Sequence, residues 1–344
     1  MTQYLEPGLY FGLDEEVYHQ LPYLSASGIK NILISPMDFW AMSWMNPLKP
    51  ERNTEAMKIG KAYHKRILEG AEAFADSYTV EFDGPEYSAT LKTAQDMQVA
   101  LRARGLPVSG NKPDLMARLR ASDPTIQFYD EIYEDWRDNE AAGKEVLSQT
   151  MIDRIEIAAA MIEKHPELSK CFTGGYPEAT VIWEEQGTFF KARVDYLKAK
   201  AIIDLKTFEN MMGKPVDNAI YYAMASQKYH IQAAFYMAHA APMAVRFAKE
   251  GRVFGYATKD FLTRLAQTDS HDFYFVFQQK GIAPVARGKK FPRGLMFGCG
   301  EQAITDAIKK FKECLRTYGT GPWVDPTPID ELEDERFPVF ATEL

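Results

Sequence analysis

The sequence predicts an α/β fold: a central mixed sheet flanked by helices, with a small helical module inserted. Three observations lead there. Residues 176–207 alternate apolar and polar side chains with the period of a strand, and long stretches on both sides repeat at helical spacing. Over residues 88–122 the character changes and a separate apolar set appears. A chain of 344 residues has room for one large domain and a small one, or for two ordinary domains. We divide it into residues 1–89 and 122–344, two parts of one core, and 90–121, an insertion.

Taken in order, residues 1–50 read as loops and a short helix rich in aromatics. Ser25 or Ser27 can cap a helix through Ile29, Ile32 and Leu33 that stops before Pro36. Residues 54–69 make a second helix with Thr54 as its cap, and Gly60 and His64, four apart, share a face. Residues 88–122 make two short helices around the loop GLPVSGNK, and helix resumes over 124–168. YPEATVIWEE, TFFKARVDYL and AIIDLKT are then three strands joined by short turns, an antiparallel meander. Residues 216–241 return to helix, RVFGYATKD and DFYFVFQQ read as further strands, and 300–317 is a closing helix. The C-terminal PTPIDELEDERFPVF is acidic and reads as surface-lying.

A hydrophobic content of 46% fills a real core, so the chain is not a disordered one. The net charge of −8 argues against a protein that coats nucleic acid over its whole surface, but leaves room for a local basic groove. Three widely spaced cysteines, with no CxxC pair, are too few for a four-thiolate cluster and make no disulfide framework. The N-terminus carries acids where a signal peptide needs basic and then apolar residues, and no apolar run approaches the ~20 residues of a membrane span. These features predict a cytoplasmic protein with no membrane attachment.

The meander carries the chemistry. Lys191, Arg193 and Asp195 project on one side of its second strand, and Asp204 and Lys206 on one side of its third, with Leu205 pointing the other way. Paired through the KAK turn, the two strands bring Asp195 and Asp204 within reach of one hard divalent cation. Lys206 beside them can orient a water or offset charge on a phosphorane. The competing reading is a surface hairpin with ordinary salt bridges. DLK at 204–206 is the only Asp/Glu-x-Lys in the chain, and it ends the most β-branched strand.

The chain resembles the RecE-type (exonuclease VIII) branch of the RecB/lambda-exonuclease, PD-(D/E)XK nuclease superfamily. The matching segments come in order: YHQLPYLSASGIKNILISPMDFW, GKAYHKRILE, GKEVLSQTMIDRI, HPE, PEATVIW, FFKARVDYL, AIIDLKT and YHIQAAFY. The resemblance implies a metal-ligating histidine at His64, metal-binding acids at Asp195 and Asp204, and the catalytic lysine at Lys206. Glu178 matches the acid at the edge of the metal site, where it holds a second cation or a water, or is a surface acid. Gln232 and Tyr236 match the helix near the active site, where they touch DNA, brace the lysine or, for Tyr236, pack in the core. The implied cofactor is Mg2+, with Mn2+ able to substitute because imidazole suits manganese. Two features depart from the superfamily pattern: Val194 rather than proline precedes the first acid, and Ser35-Pro36 stands where some relatives have a cluster-binding Cys-Pro. No iron–sulfur cluster is expected.

The insertion resembles a SAP motif, a helix–loop–helix DNA-binding module, on the stretch LKTAQDMQVALRARGLPVSGNKPDLMARLR. Arg102, Arg104, Lys112, Arg118 and Arg120 supply positive charge in an acidic chain, and a helix N-terminus after Gly110-Asn111 offers amides to a phosphate. Arg104, Lys112 and Arg118, with Arg193, are the candidate DNA contacts; the alternative is a hairpin that only packs. The resemblance implies a 5′-to-3′ exonuclease on linear double-stranded DNA in phage-type recombination. It also implies a ring-shaped homo-oligomer and a single-strand-annealing partner protein. Rival readings are an endonuclease of the same fold and a non-cleaving DNA-binding accessory.

Overall fold

The alternating segment forms the middle of a seven-stranded mixed sheet. The structure, a computed structural model, describes residues 4–50, 54–83, 90–210, 213–281, 283–324, 328, 329 and 331. Its strands are β1 (Gly8–Tyr10), β2 (Tyr78–Val80), β3 (Glu145–Leu147), β4 (Gly175–Glu185), β5 (Thr188–Lys198), β6 (Ala201–Phe208), β7 (Val253–Phe254), β8 (Asp272–Gln279) and β9 (Ala286–Phe291). The main sheet runs in the order β7-β1-β4-β5-β6-β8-β9, and β2 and β3 pair separately. The meander β4-β5-β6 is antiparallel, whereas β6 pairs β8 in parallel. A parallel pair needs a crossover connection, and the helices Val216–Ser226, Tyr229–Phe235, Ala241–Glu250 and Lys259–Ala266 lie between β6 and β8 in the chain.

Alternation along β6 and β8 sends side chains to two cores. Ile202, Phe273, Phe275 and Phe277 join the larger one, with Phe235 and the closing helix Leu295–Tyr318. Ile203, Leu205 and Val276 join a smaller one with Leu68, Ile162 and Tyr196. The insertion has a core of its own, Met97, Leu101, Leu115 and Leu119, which also takes in Phe128 from beyond its second helix. Both of its helices, Ala94–Ala103 and Lys112–Ser122, begin with a capping box (Thr93 with Asp96, Asn111 with Asp114).

The structure departs from the sequence reading in the short elements. Residues 8–10, expected as loop, form β1, and residues 286–291, ARGKKF, form the edge strand β9. Three residues are too few to show a period, and β9 buries only its end residues Ala286 and Phe291. The helix expected over 124–168 is interrupted by β3. The helix over 216–241 breaks at Lys228, whose φ is 50°. RVFGYATKD keeps only two residues of strand. Most of the acidic C-terminal segment lies outside the described residues. Among the described residues no helix is long and apolar enough to cross a membrane.

One buried lysine, whose pKa burial pushes down to about 7, ties the N-terminal segment to the sheet. Lys191, 6% exposed, donates to the carbonyls of Tyr18 and Leu21, each at 2.8 Å, with His19 O at 3.4 Å. Tyr18 and His19 lie in the helix Glu15–Gln20, so the ammonium meets carbonyls at the negative end of that helix. Lys191→Met keeps the apolar stem and strands these carbonyls. It should lower stability by about 2–3 kcal/mol, read as a lower urea midpoint with an unchanged slope.

Candidate active site

The site is built where the meander comes apart. Strands β5 and β6 pair through Tyr196 with Ile203 and Leu197 with Ile202, and the register goes no further. Beyond that point the peptide of Leu205 has no strand partner on the β5 side. Side chains replace the ladder: Asp195 Oδ2 accepts the Leu205 N–H at 2.8 Å, and His64 Nε2 lies 3.0 Å from the Leu205 carbonyl. On the other flank, Pro177 pairs with Tyr196 and Ala179 with Val194, but Glu178, opposite Asp195, is skipped. Its φ of 52° puts a non-glycine residue in the left-handed region, a strained conformation that takes it out of the ladder.

His64 ends the helix Glu55–His64, and the following wider turn, Lys65–Glu69, is held by Arg66 on Glu156 at 2.8 Å and Glu163 at 2.9 Å. The ring's Nδ1 lies 2.9 Å from Gly60 O, and Nε2 lies 3.4 Å from Asp195 Oδ2 as well as near Leu205 O. Oxygens thus face both nitrogens. Burial alone would lower its pKa, but the hydrogen bond and charge of Asp195, with the Gly60 carbonyl, push it up to about 9. Burial raises the Asp195 pKa, yet His64, Lys206 and the Leu205 N–H outweigh it and hold that pKa below the usual carboxylate value.

Asp204 is fully buried. Its Oδ1 accepts from Gln232 Nε2 at 2.9 Å. Its Oδ2 has Lys206 Nζ at 2.7 Å as an ionic neighbour, but no donor in hydrogen-bond geometry. Burial pushes its pKa up to about 6; Lys206 opposes that rise and Asp195 adds to it. The Lys206 ammonium, whose own burial penalty is outweighed by Asp204 and Asp195, is kept charged. Its Nζ also sits 5.0 Å from the centre of the Tyr229 ring.

These donors fit a hard divalent ion. Among the described residues no three His, Cys, Asp or Glu side chains gather into a ready ligand group. The site instead combines the Asp195 carboxylate, the His64 imidazole, the Leu205 carbonyl and the Asp204 oxygen that faces Lys206. The Nε2 proton of a charged His64 is a small cation held by Leu205 O and Asp195 Oδ2, and a metal ion in its place would meet the same oxygens. Sequence reasoning missed the Leu205 carbonyl, because side-chain alternation sends that leucine into the core. Its position between the second acid and the lysine is the signal that could have found it.

Other expected residues stand further back. Tyr236, 6% exposed, donates to Arg193 O at 2.8 Å, and Gln232 lies 3.4 Å from its hydroxyl. Arg193 turns inward to Thr180 Oγ1 at 3.2 Å, Glu178 at 3.4 Å and the Leu13 carbonyl, so it props β4 against β5. In the insertion Lys112 pairs with Asp130 at 2.5 Å, Arg104 lies 3.7 Å from Asp123, and Arg118 holds the loop carbonyls of Pro107 and Ser109. Asp114 N is taken by Asn111 Oδ1, so that helix N-terminus already has an internal acceptor.

Glu178 makes the electrostatics testable. Burial, then the charge of Asp195, push its pKa up to about 7 against the pull of Arg193. A carboxyl with a folded pKa above its unfolded value binds more protons folded than unfolded, so it loses stability as pH rises from about 4.5 through 7. Glu178→Gln removes the charge and keeps the shape. In EDTA it should be more stable than the parent at pH 8 by about 1 kcal/mol after screening. That gain should vanish at pH 4, as checked by urea unfolding at both values.

A family model matches most of the chain. The family described as "PDDEXK-like domain of unknown function (DUF3799)" matches residues 25–244, which take in every residue of the site from His64 to Tyr236. No curated protein matches the chain. A crystal structure of a protein from Eubacterium rectale, described as a "Putative exonuclease", is similar at 14% identity. The match covers 93% of this chain and 97% of that one, with a TM-score of 0.47. On the family match, which spans most of its length, the chain belongs to this PDDEXK-like family, within the PD-(D/E)XK nuclease superfamily.

Proposed function

We propose that the protein hydrolyses phosphodiester bonds of DNA with the help of a divalent cation, Mg2+ or Mn2+. The observation that supports it best is the opened strand pair, where Asp195, His64 and the Leu205 carbonyl converge beside the buried Asp204 carboxylate and the charged Lys206 that pairs with it. Asp195, Asp204, His64 and the Leu205 carbonyl would hold the ion. When bound, such an ion activates water at neutral pH and offsets charge on the phosphate.

The protein's own groups do the rest. Gln232 holds the Asp204 carboxylate through Oδ1, leaving Oδ2 toward Lys206. The Lys206 ammonium is anchored against Asp204, so it keeps its proton and presents a fixed positive charge to a substrate oxygen. Tyr236, bonded to the Arg193 carbonyl, steadies β5 two residues from Asp195. Glu178, whose pKa is about 7, is placed to exchange a proton near neutrality at the edge of the site.

The finer reading follows the resemblance to RecE-type enzymes: 5′-to-3′ digestion of linear duplex ends, in recombination, by a ring of identical subunits working with a single-strand-annealing protein. The insertion would position the duplex through exposed charges such as Arg102 and Arg104.

Purified protein with Mg2+ should consume linear but not closed-circular duplex, and EDTA should stop it. Cutting of circles would make it an endonuclease, and inertness toward both would leave a DNA-binding protein. Lys206→Ala should lower the cleavage rate by at least about a hundredfold while leaving DNA binding in place; equal activity would refute its role. Arg102→Gln with Arg104→Gln should lessen the slope of log affinity on log salt by about two. An unchanged slope would make the insertion a packing hairpin.

A further inference from the structure

A second lysine lies over the same aromatic ring as Lys206. Lys30 lies in the helix Ala26–Ile32, far from the meander in sequence, and that helix packs against Tyr229–Phe235. Its Nζ is 5.9 Å from the centre of the Tyr229 ring, the ring that also carries Lys206 at 5.0 Å. The only other polar contact of the Lys30 ammonium among those described is the Gln227 carbonyl at 3.4 Å. No carboxylate is paired with it among the described residues, whereas Lys206 has Asp204 at 2.7 Å. Lys30, half-buried, is thus held beside a like charge with one long bond to a neutral group. Such an arrangement raises the energy of the empty site and is relieved by an anion. Burial lowers its pKa to about 8, with the charges of Lys206 and Lys228 adding to the fall and Asp204 opposing it.

We infer that Lys30 binds a phosphate of the DNA strand, across the Tyr229 ring from Lys206. This rests on the nuclease reading above and adds a contact that the Asp-x-Lys pattern does not contain. Tyr229 is the spacer: its ring keeps the two ammonium groups apart and presents both to the same strand. Lys30 then sets where the strand lies, and Lys206 serves the phosphate being cut.

The experiment uses the full-length protein and a linear duplex with Mg2+, comparing the parent with Lys30→Gln, Lys30→Met and Lys30→Arg. Glutamine removes the charge but keeps a donor, which guards against simple loss of the Gln227 contact. Lys30→Gln and Lys30→Met should raise KM for DNA about tenfold with kcat little changed. They should lessen the salt slope of binding by about one, and Lys30→Arg should restore both. Melting curves show which variants fold; if Lys30→Met does not, Lys30→Gln carries the test. A parent that cuts DNA, with KM and salt slope unmoved in a folded Lys30→Gln, overturns the inference and leaves the nuclease reading standing. A fall in kcat alone, not restored by arginine, also overturns it. A parent that cuts no DNA overturns the nuclease reading and this inference together.

Discussion

The site depends on one peptide group. Leu205 lies at the point where β5 and β6 stop pairing, and its N–H and carbonyl are taken by Asp195 and His64 instead of a strand. A buried peptide left without partners costs about 1–3 kcal/mol for each unsatisfied group. The strands can therefore open only if those two side chains are present, and those two side chains are aligned only because the strands open. Fold and chemistry are coupled at this residue. The leucine side chain, buried among Ile203, Val276 and Leu68, keeps the peptide from turning away.

The charges around that peptide are paired within the protein. His64 and Lys206 are the cations and Asp195 and Asp204 the anions, and the most exposed side chain of the four, His64, is 29% exposed. The balance is not the same at each member. Asp204 sits where no water reaches, so even an ammonium at 2.7 Å leaves its pKa raised. Asp195 receives a peptide N–H and an imidazole and stays an anion.

Much of this was legible in the amino-acid sequence, and the rest was lost for physical reasons. The meander is legible because period two survives over three consecutive strands, and with it the placement of Asp195, Asp204 and Lys206. His64 is legible only through resemblance, since nothing local in its helix says that the ring reaches β6, 141 residues away. The Leu205 carbonyl is hidden because patterns of side chains do not describe backbone groups. Arg193 reads in sequence as a candidate DNA contact, and Tyr236, through the resemblance, as a DNA contact, a brace for the lysine or a core residue. The folded chain turns both inward, where one ties Glu178 and Thr180 and the other takes the Arg193 carbonyl. The short strand β1 and the edge strand β9 carry too few alternating residues to be read at all.

Net charge is a poor guide here because the chain keeps its cations in two different states. In the insertion, Lys112, Arg120 and Arg104 lie against Asp130, Glu131 and Asp123, so much of the positive charge that the segment displays in sequence is answered from within. Beside the site Lys206 is answered by Asp204 and Asp195, whereas Lys30 has a carbonyl and, among the described residues, no paired carboxylate. Attraction for an anion scales with the charge that is left uncompensated and with how little water surrounds it. A chain of net charge −8 can therefore draw a phosphate strongly to one place while repelling it elsewhere. On the proposed reading that contrast favours a strand threaded past a single point over a duplex spread across a face. It follows that the sign of the whole molecule carries less information about its substrate than the pairing of two lysines around Tyr229.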